Sequence, residues 1–301
     1  MSDEHDHDHG ESSSSRAFAL GVLFNIVFVV IGVIAGIVAN STALLADAAH
    51  NFGDVLGLAM AWGATVLARR VRTVRRTYGL RRSTIIAALA NAMLILVAIG
   101  GVTWEALHRL GASHAVDGGI VAVVAAIGVV LNGAAAMMFA RGRHGDLNLR
   151  GAFLHLVADA AVSAGVVISG VVVWRTGWSW IDPATSLVVS AVILFGTIQL
   201  LREAINLLLD AVPAHVDPEQ VGQYLASLPD VASLHDLHIW SMSTTEVALT
   251  AHLVVPWSTC SPNLLHDAAL GLRERFKIAH ATIQLEPLDV AGCGRCVEDA
   301  P

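Results

Sequence analysis

The sequence predicts an α-helical membrane protein with six transmembrane helices, followed by a small C-terminal α+β domain. Hydrophobic residues make up 55% of its 301 residues, and mean hydropathy is +0.63. Only 14% are charged, where a soluble domain carries about 25%. The deficit is uneven: residues 17–210 are mostly Ala, Val, Leu, Ile and Gly, whereas the chain from 213 onward reads like an ordinary soluble domain.

Residues 1–15 (MSDEHDHDHGESSSS) are expected to be a disordered, His-rich tail. His5, His7 and His9 alternate with acids there, which suits either a solvated tail or a weak metal-collecting one. This acidic start lacks the basic region of a cleavable signal peptide.

Residues 16–211 form the expected transmembrane domain. Six apolar segments, at about 17–39, 42–68, 84–108, 116–140, 149–174 and 183–205, each approach the ~20 residues that a spanning helix needs. They are interrupted at Asn40-Ser41, Gly111 with Ser113, Gly142 with Gly145, and Asp182-Pro183. The last pair reads as an N-cap followed by Pro at the first helical position. Asn25, Asn91 and Asn132 read as interhelical hydrogen-bond partners.

Arginine sets the orientation. The link between the second and third segments holds Arg69, Arg70, Arg72, Arg75, Arg76, Arg81 and Arg82, and the link between the fourth and fifth holds Arg141, Arg143 and Arg150. The opposite loops hold only Arg109 and Arg175. The positive-inside rule then puts both basic loops and both termini in the cytoplasm. The Arg cluster is explained by topology and by contact with anionic headgroups, so no nucleic-acid partner is expected. The Arg-heavy composition and short loops point to a bacterial inner (plasma) membrane.

Residues 212–291 form the expected cytoplasmic α+β domain. A helix at 218–228 has Pro at its start, strands at 232–241 and 246–255 alternate as a hairpin, a second helix spans 262–276, and a third strand spans 281–286. That order suggests helices on one face of a sheet. Residues 292–301 are a Cys-containing tail. The three cysteines, Cys260, Cys293 and Cys296, all lie outside the apolar part and do not suggest a disulfide framework.

Chemistry concentrates in two apolar segments. His50 and Asp54 stand four residues apart in the second, and His155 and Asp159 repeat that spacing in the fifth. On a helix each pair shares one face. Ionisable groups inside a span are costly and mark a substrate path. Small neighbours such as Ala48, Gly53, Ala158 and Ala160 let the helices approach. Two imidazoles and two carboxylates make the mixed donor set that suits Zn²⁺, whereas harder ions prefer all-oxygen sites. Asp47 lies on the same stripe as His50 and Asp54 and extends the pathway. Such ligands bind metal only when deprotonated, so metal and protons compete. A membrane protein exposing the site alternately to two sides exchanges metal for protons. No G-x-x-x-x-G-K-[ST] points to nucleotide as an energy source. The soluble part has its own cluster, with His235, His238, His252, His266, His280 and Glu286 close in sequence and Cys293-x-x-Cys296 beyond it. This number of donors favours metal binding there.

The chain resembles the cation diffusion facilitator family, particularly its zinc-exporting branch, from residue 16 to 296. The resemblance is carried by STALLADAAHNFGDVLGL at 41–58, DLNLRGAFLHLVADAAVSAGVV at 146–167, IDPATSLVVS at 181–190, LHDLHIWSM at 234–242, AHLVV at 251–255 and ATIQLEP at 281–287. It implies a homodimer of six-helix subunits that exports divalent metal in exchange for protons, with ferredoxin-like, metallochaperone-like cytoplasmic domains. His50, Asp54, His155 and Asp159 match the family's transport site. His rather than Asp at position 50 is associated in the family with zinc selectivity; cadmium and cobalt are further cargo candidates. His235, His252, His266 and Glu286 fall where relatives bind regulatory zinc at a cytoplasmic dimer interface, with Gln284 standing where some relatives have a His ligand. His280, Cys293 and Cys296 are additional metal candidates, the cysteine tail resembling that of members whose terminal cysteines bind zinc. The chain departs from the family in its 69–82 loop, which lacks acidic and His ligands, and in its short 141–148 link, which has only His144.

Two other readings are a non-transporting metal-sensing partner subunit and a membrane metalloenzyme. The first fits poorly with four intact transport positions. The second lacks an H-E-x-x-H motif, and nothing in the chain suggests a catalytic cofactor.

Overall fold

A computed structural model describes residues 25–111, 114–140, 147–256 and 261–288. The described part of helix α1 is Asn25–Val38. It is followed by α2 (Thr42–Ala68), α3 (Ser83–Arg109), α4 (Gly118–Phe139), α5 (Leu147–Thr176) and α6 (Ile181–Leu208). Five of these, α2 to α6, contain stretches long and apolar enough to cross a membrane, and α1 is a shorter apolar helix. Their outward faces carry large apolar side chains such as Val97, Val130, Ile168 and Phe195. So much exposed hydrocarbon suits lipid rather than water.

The chain divides into two compact units. The first comprises residues up to 59 together with 91–199. Its core is built of small and branched residues, including Ala39, Ala43, Leu44, Ala46, Val121, Ala125 and Val166. Helices α4 and α5 come close enough for backbone contact. A Cβ added to Gly118 would lie 2.4 Å from Gly170 O, and one added to Gly170 would lie 2.6 Å from Ala122 N. With little side chain between them, the helices associate through close packing, as helices in lipid do.

The turn from α1 to α2 is held by polar groups. Asn40 has φ 54°, a left-handed conformation that Asn tolerates. Its carbonyl and side-chain oxygen accept from Arg109 Nη1 at 2.8 and 2.7 Å, and its Nδ2 donates to Ala115 O. The start of α2 is capped from a distant part of the chain. Asp182 accepts from Ser41 Oγ at Oδ1, and at Oδ2 from Thr42 N (2.7 Å), Thr42 Oγ1 (2.9 Å) and Ala43 N (3.4 Å). Ser186 Oγ donates to Thr42 O. This corrects the expected N-cap role: Asp182 lies inside the first turn of its own helix α6 and serves α2 instead. A buried carboxylate at a helix start meets unpaired N–H groups and the positive end of the helix dipole. Asn91 and Asn132 are buried, yet Asn91 Oδ1 and Asn132 Nδ2 make no hydrogen bond among the described residues, contrary to the expected interhelical bonds.

The second unit comprises 60–90 and the chain from 200. It contains α7 (Pro218–Ala226), β1 (Ser233–Ser241), β2 (Val247–Val255), α8 (Leu264–Phe276) and β3 (Ile278–Pro287). The sheet order is β1-β2-β3, with β1 antiparallel and β3 parallel to β2. Parallel pairing needs a crossover, which α8 supplies. Asp217 caps α7 by accepting from Glu219 N and Gln220 N. Val221 and Leu225 of α7 and Leu264, Ala268 and Leu272 of α8 pack with Leu249, Ala251, Leu253 and Val255 of β2. Those alternate β2 residues form one sheet face. The other face carries Ala248, Thr250, His252 and Val254.

Candidate metal centres in the membrane and soluble parts

In the first unit, α2 and α5 bring the two His/Asp pairs together. His50 Nε2 lies 2.9 Å from Asp159 Oδ1 and 3.9 Å from Asp54 Oδ2. His155 Nε2 lies 3.7 Å from Asp54 Oδ2 and 3.5 Å from Asp159 Oδ2. Tetrahedral zinc with bonds of about 2.0–2.2 Å holds its ligand atoms roughly 3.3–3.6 Å apart. These separations bracket that range. Donor atoms of His50, Asp54 and Asp159 lie within 4.8 Å of one another. The two imidazoles are farther apart, with ring centroids at 6.4 Å and planes at 77°. The cluster is graded in exposure: the Asp159 side chain is 7% exposed and that of His155 is 52% exposed. Asp159 thus forms the closed side and His155 the open one.

Asp47 is buried one turn before His50, but it is not part of the four-residue cluster. Its Oδ1 accepts from Ser163 Oγ at 3.0 Å, while Asn51 Nδ2 donates to its carbonyl at 2.8 Å. The carboxylate therefore has a partner on α5 of its own.

In the second unit, three adjacent strands each supply one donor. His235 of β1 pairs across the sheet with His252 of β2, which pairs with Gln284 of β3. Glu286 is the next residue of β3 on that face. His235 Nε2 is 3.2 Å from Glu286 Oε2, and His252 Nδ1 is 3.1 Å from Glu286 Oε1. Both nitrogens are buried, yet neither makes an aligned hydrogen bond. Converging donor atoms without hydrogen-bond geometry fit a metal better than a proton. Gln284 Nε2 donates to Glu286 Oε1 at 2.9 Å and steadies that carboxylate.

Asp236, which sequence reasoning did not single out, sits in a bulge of β1 with φ 53°. The bulge puts His235 and His238 on one face although they are three positions apart. Asp236 Oδ1 contacts His238 Nε2 at 2.8 Å, and Oδ2 lies 3.5 Å from His252 Nε2. The His238 hydrogen bond, with the nearby imidazoles, holds the Asp236 carboxyl below its ordinary value. Its position between two histidines in LHDLH was the available signal.

The other expected donors stand apart. His266 is exposed on α8, on the helical side of the sheet, away from the His235, His252 and Glu286 cluster. His280 lies four residues before Gln284 on β3, roughly 13 Å along the strand, and its ring meets Tyr78 edge to face at 5.7 Å. Cys293, Cys296 and the N-terminal histidines lie outside the described residues.

Comparison with known proteins agrees with this architecture. Residues 18–209 match the cation efflux transmembrane domain, and residues 213–288 match the cytoplasmic domain of cation efflux proteins. The metal cation efflux system protein CzcD of Cupriavidus metallidurans is 33% identical over 284 residues, covering 94% of this chain and 89% of that protein. The zinc transporter ZitB of Escherichia coli is 32% identical over 297 residues, covering 94% and 92%. A cadmium, cobalt and zinc/H(+)-K(+) antiporter of Bacillus subtilis is 30% identical over 286 residues, covering 93% and 91%. With both domains matched in order along an apolar helical bundle and a three-stranded α+β domain, the chain belongs to the cation efflux family of integral membrane transporters.

Proposed function

We propose that this protein carries Zn²⁺ out of the cytoplasm in exchange for protons, and that His50, Asp54, His155 and Asp159 hold the ion in transit. The observation that carries the reading is the convergence of these four side chains from α2 and α5, with each imidazole within 4 Å of both carboxylates. The mixed nitrogen and oxygen donors favour zinc over hard cations. The His50–Asp159 hydrogen bond supports coupling: its proton occupies the line between two atoms that would ligate the ion. Metal and proton therefore compete for one place, and exposure of that place to each side in turn yields antiport. Cadmium and cobalt are secondary cargo, in keeping with the name of the Bacillus subtilis relative.

The working unit in this reading is a homodimer in a bacterial inner membrane with both termini in the cytoplasm, an orientation that the arginine distribution supports. His235, His252 and Glu286 bind regulatory zinc, and the two buried imidazole nitrogens support that role. His266 joins such a site only from the second copy.

Zn²⁺ flux into proteoliposomes under an imposed pH gradient tests the proposal. Wild type should move zinc in the direction opposite to the proton flow that the gradient drives. Asp159→Ala removes one of the four donors and also the partner that shares the His50 proton, so it should lose gradient-driven flux. Equal flux in both proteins would overturn the site assignment. His252→Ala should retain flux but change its dependence on cytoplasmic-side zinc.

A further inference from the structure

We propose that the arginine loop between α2 and α3, with the apolar helix ends beside it, forms a binding site for one anionic phospholipid. A cavity of about 850 Å³ lies there, within the range typical of ligand pockets, about 300–1,000 Å³. One side is hydrocarbon, formed by Leu67 of α2 and Ile86 and Ala87 of α3. Gly63 also faces it, and a Cβ added to Gly63 would meet no atom within 4 Å. The other side carries Arg75 and Arg76. Both are exposed and make no ion pair among the described residues. Arg81 and Arg82 also line the cavity, but they are paired with Glu246 and Asp210. Among the described residues, no carboxylate belongs to the lining.

The chemistry of the two sides selects the occupant. Inorganic phosphate would satisfy the guanidinium groups but leave the hydrocarbon side wet. A neutral lipid would cover the hydrocarbon side but leave two positive charges unmatched. An anionic phospholipid does both, with its phosphate on Arg75 and Arg76 and its upper acyl chain along α2 and α3. The place is right for it, because a basic loop joining two spanning helices lies at headgroup depth. Trp240 of β1 completes the wall, and an indole suits a boundary between hydrocarbon and polar headgroups.

The test uses the full-length protein in detergent with either phosphatidylglycerol or phosphatidylcholine added, and counts retained lipids by native mass spectrometry. The expected result is one phosphatidylglycerol per protomer, retained at least tenfold better than phosphatidylcholine. Arg75→Gln with Arg76→Gln should lower retention at least tenfold. Gly63→Phe should do the same by filling the apolar side while the arginines remain. Equal retention of the two lipids would mark an unspecific detergent-belt lipid and overturn the proposal. So would unchanged retention in both variants. Displacement by millimolar inorganic phosphate would assign a simple anion site instead. Loss of the dimer in Gly63→Phe with lipid still retained would show that the partner copy covers the cavity, which also overturns it.

Discussion

Replacing Asp182 should open the start of α2, the helix that carries His50 and Asp54. Asp182, Ser41 and Thr42 are each at most 1% exposed, so no water replaces a lost partner. Asp182→Ala orphans the Thr42 N–H and the hydroxyls of Ser41 and Thr42. An unmet buried donor costs about 1–3 kcal/mol. The hydroxyls can turn to other acceptors in part, whereas the amide cannot, so a total of roughly 3–4 kcal/mol is expected. Asp182→Asn keeps an oxygen for the Thr42 amide but loses the acceptor for Ser41 Oγ and the charge facing the helix start, together about 1–2 kcal/mol. Hydrogen exchange of the protein in nanodiscs reads this directly, through a peptide covering Thr42 to Leu44. With 1.4 kcal/mol per factor of ten, exchange there should rise about 100- to 1,000-fold for Ala and about tenfold for Asn. If Asp182→Ala exchanged within threefold of wild type, the cap would not hold α2 and the reasoning would fail.

Other predictions follow from the same geometry. Gly170→Ala should lower the thermal midpoint markedly in detergent, because the added methyl meets the backbone of α4 rather than a movable side chain; the tight contact is misread if the midpoint stays within a degree. His50→Asp should widen selectivity toward Cd²⁺ in competition flux assays, and an unchanged zinc preference would count against His50 as selector. Asp236→Asn should lose a small, pH-dependent stability increment. The Asp236 pKa is depressed, so its contribution is present above the ordinary value near 3.8 and disappears as pH falls through the lower folded value. The gap between wild type and variant in thermal midpoint should therefore close in acid, and a gap that persists to about pH 2 would refute the His238 interaction.

Hydrophobic patterning made the spanning segments legible. The expected 42–68 is α2 from Thr42 to Ala68, and 84–108 differs from α3 by one residue at each end. Length and apolar content alone decide such segments, because lipid leaves the backbone few alternatives. The His/Asp spacing likewise pointed to the two faces that meet. Long-range polar pairing was harder to read. Asp182 followed by Pro183 looks like a local cap, and nothing in sequence shows that its carboxylate turns to residues about 140 positions away. The third strand begins at Ile278 rather than 281, since α8 ends at Lys277 in a left-handed conformation without the glycine that would have signalled it. The family resemblance places His266 with His235 and His252 at an interface between copies; within one chain the α8 crossover carries it to the other side of the sheet.

The soluble cluster draws one donor from each of three strands, and its ends lie far apart in the chain. Any ion it holds is a cross-link that pins both edge strands to the central one. Folding of the domain then becomes linked to metal concentration: ligand at a hundred times its dissociation constant adds about 2.7 kcal/mol to the folded state. Each further tenfold adds about 1.4 kcal/mol. A domain of this size has only a few kcal/mol to spare. If the cluster holds zinc, as proposed, the rigidity of the domain becomes a graded readout of the metal around it, even where no conformation changes.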